Sequence, residues 1–426
     1  MIHTSETAAI ARRLEAGVRD WVLQGFQPEY GHKHFESAPR WQALQRTGCE
    51  LWLDTGDIQG ISGLWSAEFR ALTTNNTLLN AEVQRGQYDD LVRRTAQKLR
   101  ALAPDIPDDL LVLEIAFVLN AYHGLRLVER FDAFVSVEEH TDLAYDVDLA
   151  VLYGKRFHAI CPERFIVKLP LTPEGLLAMR KLRLGGVPIN FTLGFSARHN
   201  YLAARLGDPS FVNVFLGRLN AFVADAGLGS GTGVGEKATV ASQEAIRALR
   251  QSGKATTRQI AASLRGSEQV WTLAGTDVLT MPLAVAKGYR DAATPPPAAP
   301  GPAARDIAID ADAAAHKELR FDRLWDIDAG LVRAVDALAG ADLDRMTGPE
   351  LVATLRAHGV HDFFPDMTAA ELDAVRTDGK IPKLGRWRSR LRDGTAGLDA
   401  LLNLSGLHSF ASDQKQLDDR VRGLLG

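Results

Sequence analysis

The sequence predicts a (β/α)8 barrel with an N-terminal helix before it and an added C-terminal all-helical region after it. Three observations lead there. Eight short apolar runs of strand character alternate with helical stretches across residues 48–290, the order of a parallel sheet wound with helices. Polar side chains cluster in the second half or at the end of those runs, where such a barrel carries its chemistry. A stretch rich in proline and alanine then ends the alternation, and only helical patterns follow it.

Taken in order, residues 1–47 form a helical extension. Ile10, Leu14, Val18, Trp21 and Val22 recur at helical spacing within 4–25, with Thr4 or Ser5 as cap, and RWQALQRTG gives a second short helix ending at Gly48. CELWLD (49–54) is the first strand, with Glu50, Trp52 and Asp54 on one face. FRALTT supplies a second strand near 70–75, placing Thr73 and Asn75 together. Helical pattern fills 79–102 and 108–130, and FDAFVSVEEH (131–140) is the third strand, with Phe134, Ser136 and Glu138 on one side. A helix near 142–160 leads to FIVKLP, the fourth strand. INFTLGF, a helix near 197–206 and FVNVFLG follow. After Phe222 comes GLGSGTGVGEK. It is read as a flexible insertion, not a phosphate cradle, because a helix and not a strand precedes it. A helix at 239–252 precedes TTRQIAASLR (256–265), with Ala261, Ser263 and Arg265 assigned to one face, and VLTMPL (278–283) is the eighth strand.

Residues 291–311 are a linker, DAATPPPAAPGPAAR at its start. The helical region 312–426 is read as a packing or oligomerisation element, which leaves a homodimer open; its last helix, SFASDQKQLDDRVRGLL, is assigned a cap at Ser409 or Ser412. Composition narrows the function classes. A net charge of −4 over 426 residues gives no electrostatic case for nucleic acid. The start lacks the apolar core of a signal peptide and no run suggests a membrane span, so a reducing cytoplasm is expected. Cys49 and Cys161, the two cysteines, have no metal spacing.

The strongest chemical signal lies between Arg164 and Arg218. Lys168 sits in an apolar strand, where an ammonium is costly and a neutral amine is a nucleophile able to form a Schiff base with a carbonyl. Asn190 and Thr192 share one face of the next strand, and Asn213 and Phe215 one face of the strand after it, with Arg218 just beyond. Each residue alone has an ordinary reading: a strand-end lysine reaching water, turn or cap aspartates, surface ion pairs. Their order on one barrel rim is what speaks for a site.

In LDTGDIQGI, LTTNNTLL, VSVEEHTDLAYDV, FIVKLPLTPEGLLAM, INFTLGFS, FLGR, IAASLR and TLAGTDVLTMPLAV the chain resembles the transaldolases, class I Schiff-base enzymes of sugar-phosphate metabolism. The match covers about 48–290 in order, and FASDQKQLDDRVRGLL looks like the family's closing helix near the barrel mouth. The resemblance implies Lys168 as the Schiff-base lysine and Asp54 as the acid/base at the sugar hydroxyl. Glu138 with Thr192 would handle the catalytic water. Asn75 and Asn190 would bind the dihydroxyacetone unit, with Asn213 and Phe215 beside them, and Arg218, Ser263 and Arg265 would bind phosphate. Sugar phosphates are the implied substrates, and neither metal nor organic cofactor is needed. The chain departs from the family pattern at Asn76 (usually proline), Asn213 (usually serine) and Leu264 (usually phenylalanine), which leaves the donor sugar open. Two alternatives stand beside a transaldolase: an aldolase releasing free dihydroxyacetone, and a catalytically silent sugar-phosphate binder with 312–426 as a partner module.

Overall fold

A computed structural model describes residues 5–26, 30–31 and 33–426. Thr4, one of the two expected caps, lies outside the described residues. The strands are β1 (Glu50–Asp54), β2 (Phe69–Thr73), β3 (Phe134–Glu138), β4 (Phe165–Pro170), β5 (Ile189–Thr192), β6 (Phe211–Phe215), β7 (Arg258–Ala262) and β8 (Val278–Met281). They close in sequence order into one barrel, every pair parallel. Helices α1 (Ser5–Val22) and α2 (Pro39–Gln45) precede it. Around it run α3 (Ile58–Ser62), α4 (Asn76–Gln84), α5 (Asp89–Leu102), α6 (Asp108–Phe131), α7 (Val147–Ile160), α8 (Pro173–Leu184), α9 (Ala197–Gly207), α10 (Leu216–Asp225), α11 (Val234–Gln251), α12 (Glu268–Thr272) and α13 (Leu283–Asp291). After the linker come α14 (Ala329–Ala339), α15 (Gly348–Ala357), α16 (Ala369–Asp378), α17 (Leu384–Arg392) and α18 (Leu398–Leu425).

The strands bury both faces, so their apolar runs are nearly continuous. Outward residues such as Leu51, Leu53, Val135, Val137, Val167 and Leu169 join the large core under the helices. Inward residues fill the barrel itself: Trp52, Ala71, Ile166, Ile260, Ala262 and Val278 pack together with Phe134, Phe211 and Phe215. At the N-terminal end the filling turns polar, where Arg258 pairs with Glu50 at 2.7 Å and the Trp52 indole N–H donates to Glu50. The floor is therefore closed by side chains, and chemistry is confined to the opposite end.

Several expectations need correction. The second strand ends at Thr73, and Asn75 is instead the N-cap of α4, accepting the Leu78 N–H at 2.9 Å. The helical pattern across 79–102 is broken into α4 and α5 by a turn around Gly86. In β7 the inward set is Arg258, Ile260 and Ala262, so Ala261 faces the outer core and does not share a face with the site. Ser263 lies past the strand end with a left-handed φ of 64°, which breaks the alternation on which that assignment rested. Helix α11 starts at Val234, five residues before the expected 239.

The glycine-rich loop is not a free insertion. Its Gly231 N–H donates to the Asp310 carbonyl at 3.0 Å, the Ser230 N–H to the Asp310 carboxylate, and the Asp310 N–H to the Thr232 carbonyl. The N-terminus of α11 is taken by Glu236, whose carboxylate accepts the Gly233 N–H at 3.1 Å. A carboxylate of the chain itself thus occupies the place a phosphate would need. The linker that holds this loop also lies on the barrel: Trp271 donates to the Pro295 carbonyl and Arg40 to the Thr294 carbonyl, each at 2.8 Å.

Helix α6 is long and apolar enough to cross a membrane by length and composition, yet 89% of its most apolar window is buried inside the molecule. Its neighbours are α1, α5, β3 and α18. Helix α18 starts at Leu398, so Ser409 and Ser412 lie in its interior and cap nothing.

Candidate active site at the C-terminal mouth of the barrel

Register brings the polar residues together. Glu138 is the Cα partner of Lys168 across β3 and β4, and Lys168 that of Asn190 across β4 and β5. Asp54 pairs with Thr73 across β1 and β2. Since alternate residues share a face, all of these point into the barrel near its C-terminal end.

Lys168 has 5% of its side chain exposed. Its Nζ lies 3.4 Å from Glu138 Oε1 and donates to the Thr74 carbonyl at 3.2 Å. The ring of Phe410, from α18, stands 5.6 Å from Nζ. The amine is therefore enclosed yet compensated by a carboxylate. Glu138 in turn accepts the Asn76 N–H at 3.0 Å, at the first turn of α4, where the helix dipole favours negative charge. Burial nevertheless raises its pKa, an effect that Lys168 partly offsets and that Asp54 adds to. Glu139, one residue on, takes the opposite face and packs against Gly154 of α7, so it stays outside the site.

Asp54 is raised by burial as well, with Lys168, a hydrogen bond from Thr73 and the charge of Arg265 pulling the other way. The Thr73 hydroxyl donates to Asp54 at 2.7 Å and lies 2.8 Å from the Thr280 hydroxyl. Across the barrel a polar chain runs from Asn213 to Asn190 and on to Ser136, with amide-to-oxygen distances of 3.1 Å at each step. Thr192 Oγ and Asn213 Oδ1 are buried with no protein partner among the described residues. Donors and acceptors of this kind can serve a polyhydroxylated ligand.

Arg218 falls in the first turn of α10, directly after β6. It is 7% exposed, and its guanidinium lies 5.7 Å from the ring of Phe215 and 5.4 Å from that of Phe410. Burial, with the nearby charge of Arg265, lowers its pKa to about 10, while Asp413 and Glu138 oppose the fall. Arg265 is exposed at the rim. Gly217 makes this geometry passable: a Cβ there would run into the Ser263 carbonyl and the Arg265 side chain. Two guanidinium groups brought together this way suit an anion with several oxygens.

Asn75 is half-buried, with its carbonyl oxygen spent on capping α4, so only its amide nitrogen is free for the mouth. Of the eleven residues expected from sequence, Asp54, Glu138, Thr192 and Phe215 end their strands, Arg218, Ser263 and Arg265 follow strand ends, Lys168, Asn190 and Asn213 lie within theirs, and Asn75 sits on the following helix cap. Sequence reasoning missed Thr74 and the Asn76 N–H, which act through backbone and carry no side-chain signal. Thr73 and Ser136 could be found, because alternation puts them on the inward face. Phe410 and Asn403 could not be assigned in detail, because α18 returns from far along the chain. A surface cavity of about 600 Å³ opens beside Gly217, Asn220 and Arg265, and another of about 340 Å³ lies among Glu174, Phe363 and Asn403; neither includes Lys168.

A family model described as Transaldolase/Fructose-6-phosphate aldolase matches residues 51–330. Among curated relatives, a protein named "Transaldolase" from Xanthomonas oryzae pv. oryzae (strain PXO99A) is 30% identical over 234 residues, covering 54% of this chain and 71% of its own length. A "Probable transaldolase" from Thermus thermophilus is 33% identical over 242 residues, covering 56% of this chain and 89% of its own length. The "Transaldolase" of Trichormus variabilis is 27% identical over 236 residues, 54% of this chain and 70% of its own. With eight parallel strands in sequence order and a family match over most of its length, the chain belongs to the Transaldolase/Fructose-6-phosphate aldolase family.

Proposed function

We propose that the chain is a transaldolase, moving a dihydroxyacetone unit from a ketose phosphate to an aldose phosphate through an imine on Lys168. The observation that carries the reading is the buried Lys168 amine, 3.4 Å from the Glu138 carboxylate inside the barrel mouth. Lys168 attacks the ketone, and loss of water gives a protonated imine, an electron sink that needs no metal. Glu138, with Thr192 of β5, moves the protons of that dehydration and of its reversal. Asp54 takes the proton from the hydroxyl next to the breaking carbon–carbon bond; the aldose leaves, and the enamine stays on Lys168 for the acceptor aldehyde. Two carboxylates on separate strands divide the proton transfers because those occur at different atoms. Arg218 and Arg265, with Ser263, hold the phosphate, and Asn190, Asn213 and the Asn75 amide hold the hydroxyls of the transferred unit.

Borohydride reduction in the presence of fructose 6-phosphate tests this. Intact-mass and peptide analysis should place one reduced adduct on Lys168, absent from Lys168→Arg. An adduct on another lysine, or none across a panel of ketose phosphates, refutes the assignment. The enclosure of Nζ by Phe410 favours transfer over release of free dihydroxyacetone, since a covered enamine meets less water.

A further inference from the structure

A second buried cluster lies behind the mouth. The Arg198 guanidinium grips the Asp399 carboxylate with two hydrogen bonds, Nε to Oδ2 at 2.7 Å and Nη2 to Oδ1 at 2.6 Å, and donates from Nη1 to Asp362 at 3.0 Å. The Ser196 hydroxyl donates to Asp399 at 2.6 Å, and His199 Nε2 stands 3.3 Å from it. Ser196, Arg198, His199, Asp362 and Asp399 are all at most 4% exposed. Arg323 approaches Asp362 at 3.7 Å and balances part of the charge. Burial alone would push the Asp399 carboxyl up, but Arg198 and His199 hold it well below the ordinary range.

These residues come from three places. Ser196, Arg198 and His199 open α9, only a few residues past Thr192 of β5. Asp362 belongs to the added helical region, and Asp399 to the first turn of α18. Gly397 sits at the junction, where a Cβ would collide with the Arg198 guanidinium. From Asp399 the helix presents one face to the barrel: Asn403, Gly406 and Phe410 follow four, seven and eleven residues on. The Asn403 amide donates to the Leu171 carbonyl at 3.1 Å and the Leu193 carbonyl at 3.0 Å, just past β4 and β5. Gly406 lies against Leu193 and Arg218, and Phe410 stands over Lys168.

We infer that Arg198 is a positioning residue: by fixing Asp399 it sets the rotation and depth of α18, and so the placement of Asn403, Gly406 and Phe410 over the Lys168 site. It touches no reacting atom. The inference rests on the proposed Lys168 chemistry for its kinetic readout, and on the clamp alone for its structural one. A guanidinium bonded bidentately to one carboxylate and singly to another fixes an angle that a lysine cannot.

The test uses full-length Asp399→Asn and Arg198→Lys, each also in an Asn80→Cys/Gln416→Cys background. Asn80 and Gln416 touch across α4 and α18, the Asn80 amide donating at 3.2 Å, so a short bis-methanethiosulfonate linker joining the two thiols can pin the helix without the clamp. Hydrogen exchange should show α18 amides losing protection roughly ten-fold or more while the barrel strands keep theirs. The kcat for transfer should fall about ten- to a hundred-fold with KM within about three-fold, as misplacement of a catalytic enclosure predicts. Linking the cysteine pair should restore kcat, and release of the linker by reductant should remove it again. Unchanged α18 protection, a loosened helix with full kcat, or a cross-link that restores protection and not kcat overturns the inference. If neither single variant folds, the cross-linked double-cysteine form of Arg198→Lys decides alone. Absence of turnover in the unmodified chain refutes instead the transaldolase reading.

Discussion

Lys168 owes its setting to register. One residue's slip along β4 would turn it to the outer core and bring Val167 or Leu169 into the mouth. In place, it faces Glu138 from the neighbouring strand at 3.4 Å, and the Asn76 N–H fixes the far oxygen of that carboxylate. Glu138→Gln keeps the shape and the Asn76 contact but removes the proton acceptor. Its kcat should fall roughly 100-fold or more with KM little changed, as loss of a general acid/base predicts; steady-state kinetics on both substrates measures it. Asp54 and Glu138 are both raised by burial, so a catalytic base among them is protonated over a range where an ordinary carboxylate is not. The acid limb of kcat/KM against pH should accordingly lie above the ordinary carboxylate value of about 4. In Glu138→Gln the limb should move to where Asp54 alone sets it.

At the scale of elements, α18 is the unusual part. It lies beyond the 51–330 span that the family model matches, yet it supplies Phe410 to the site. The rings of Phe410 and Phe215 are 6.4 Å apart, and Arg218 lies near both. Phe410→Leu keeps an apolar group but removes the flat cover. Transfer should slow several-fold, and the fraction of free dihydroxyacetone among products should rise as water reaches the enamine. Product analysis with and without acceptor aldehyde separates the two effects; an unchanged partition would show that the ring does not exclude water. What was legible in the sequence follows the same division. Strands β1, β3, β4, β5 and β6 could be read with their inward faces because alternation survives along each. The end of β7 could not, since the left-handed backbone at Ser263 resets the face. Asn75 reads as a strand residue from its neighbours, yet the helix behind it claims its carbonyl. The glycine-rich loop suggests flexibility by composition, yet Asp310 and Asp312, some eighty residues away, help tie it down. The start of α18 escapes a local reading because cap signals at Ser409 and Ser412 compete with a docking carboxylate at Asp399 that only the tertiary structure explains.

For the whole molecule, the layers around the barrel are tied through buried polar groups whose charge state is part of the fold. His123 of α6 is one. It is 2% exposed, its Nδ1 lies 2.7 Å from the Tyr88 hydroxyl at the start of α5, and its ring packs against Gly56 in the loop after Asp54. Burial, with Arg126 nearby, lowers its pKa to about 4. The unfolded chain takes up that proton near pH 6.5 and the folded chain does not, so below pH 6.5 the unfolded state binds more protons. Stability is lost as pH falls from about 6.5 to about 4, by about 3 kcal/mol for this one group. Asp54, Glu138 and Glu139 shift the other way: raised by burial, they take up protons first in the folded state and gain stability as pH falls. The unmodified chain therefore shows only the sum, and a difference is needed to isolate the histidine. His123→Gln keeps a hydrogen-bonding group against Tyr88 and cannot be protonated. Between pH 7 and pH 4 it should lose about 3 kcal/mol less stability than the unmodified chain, measured by urea unfolding at each pH. Parallel losses in the two proteins would mean that His123 accepts its proton without unfolding the contact to the Asp54 loop.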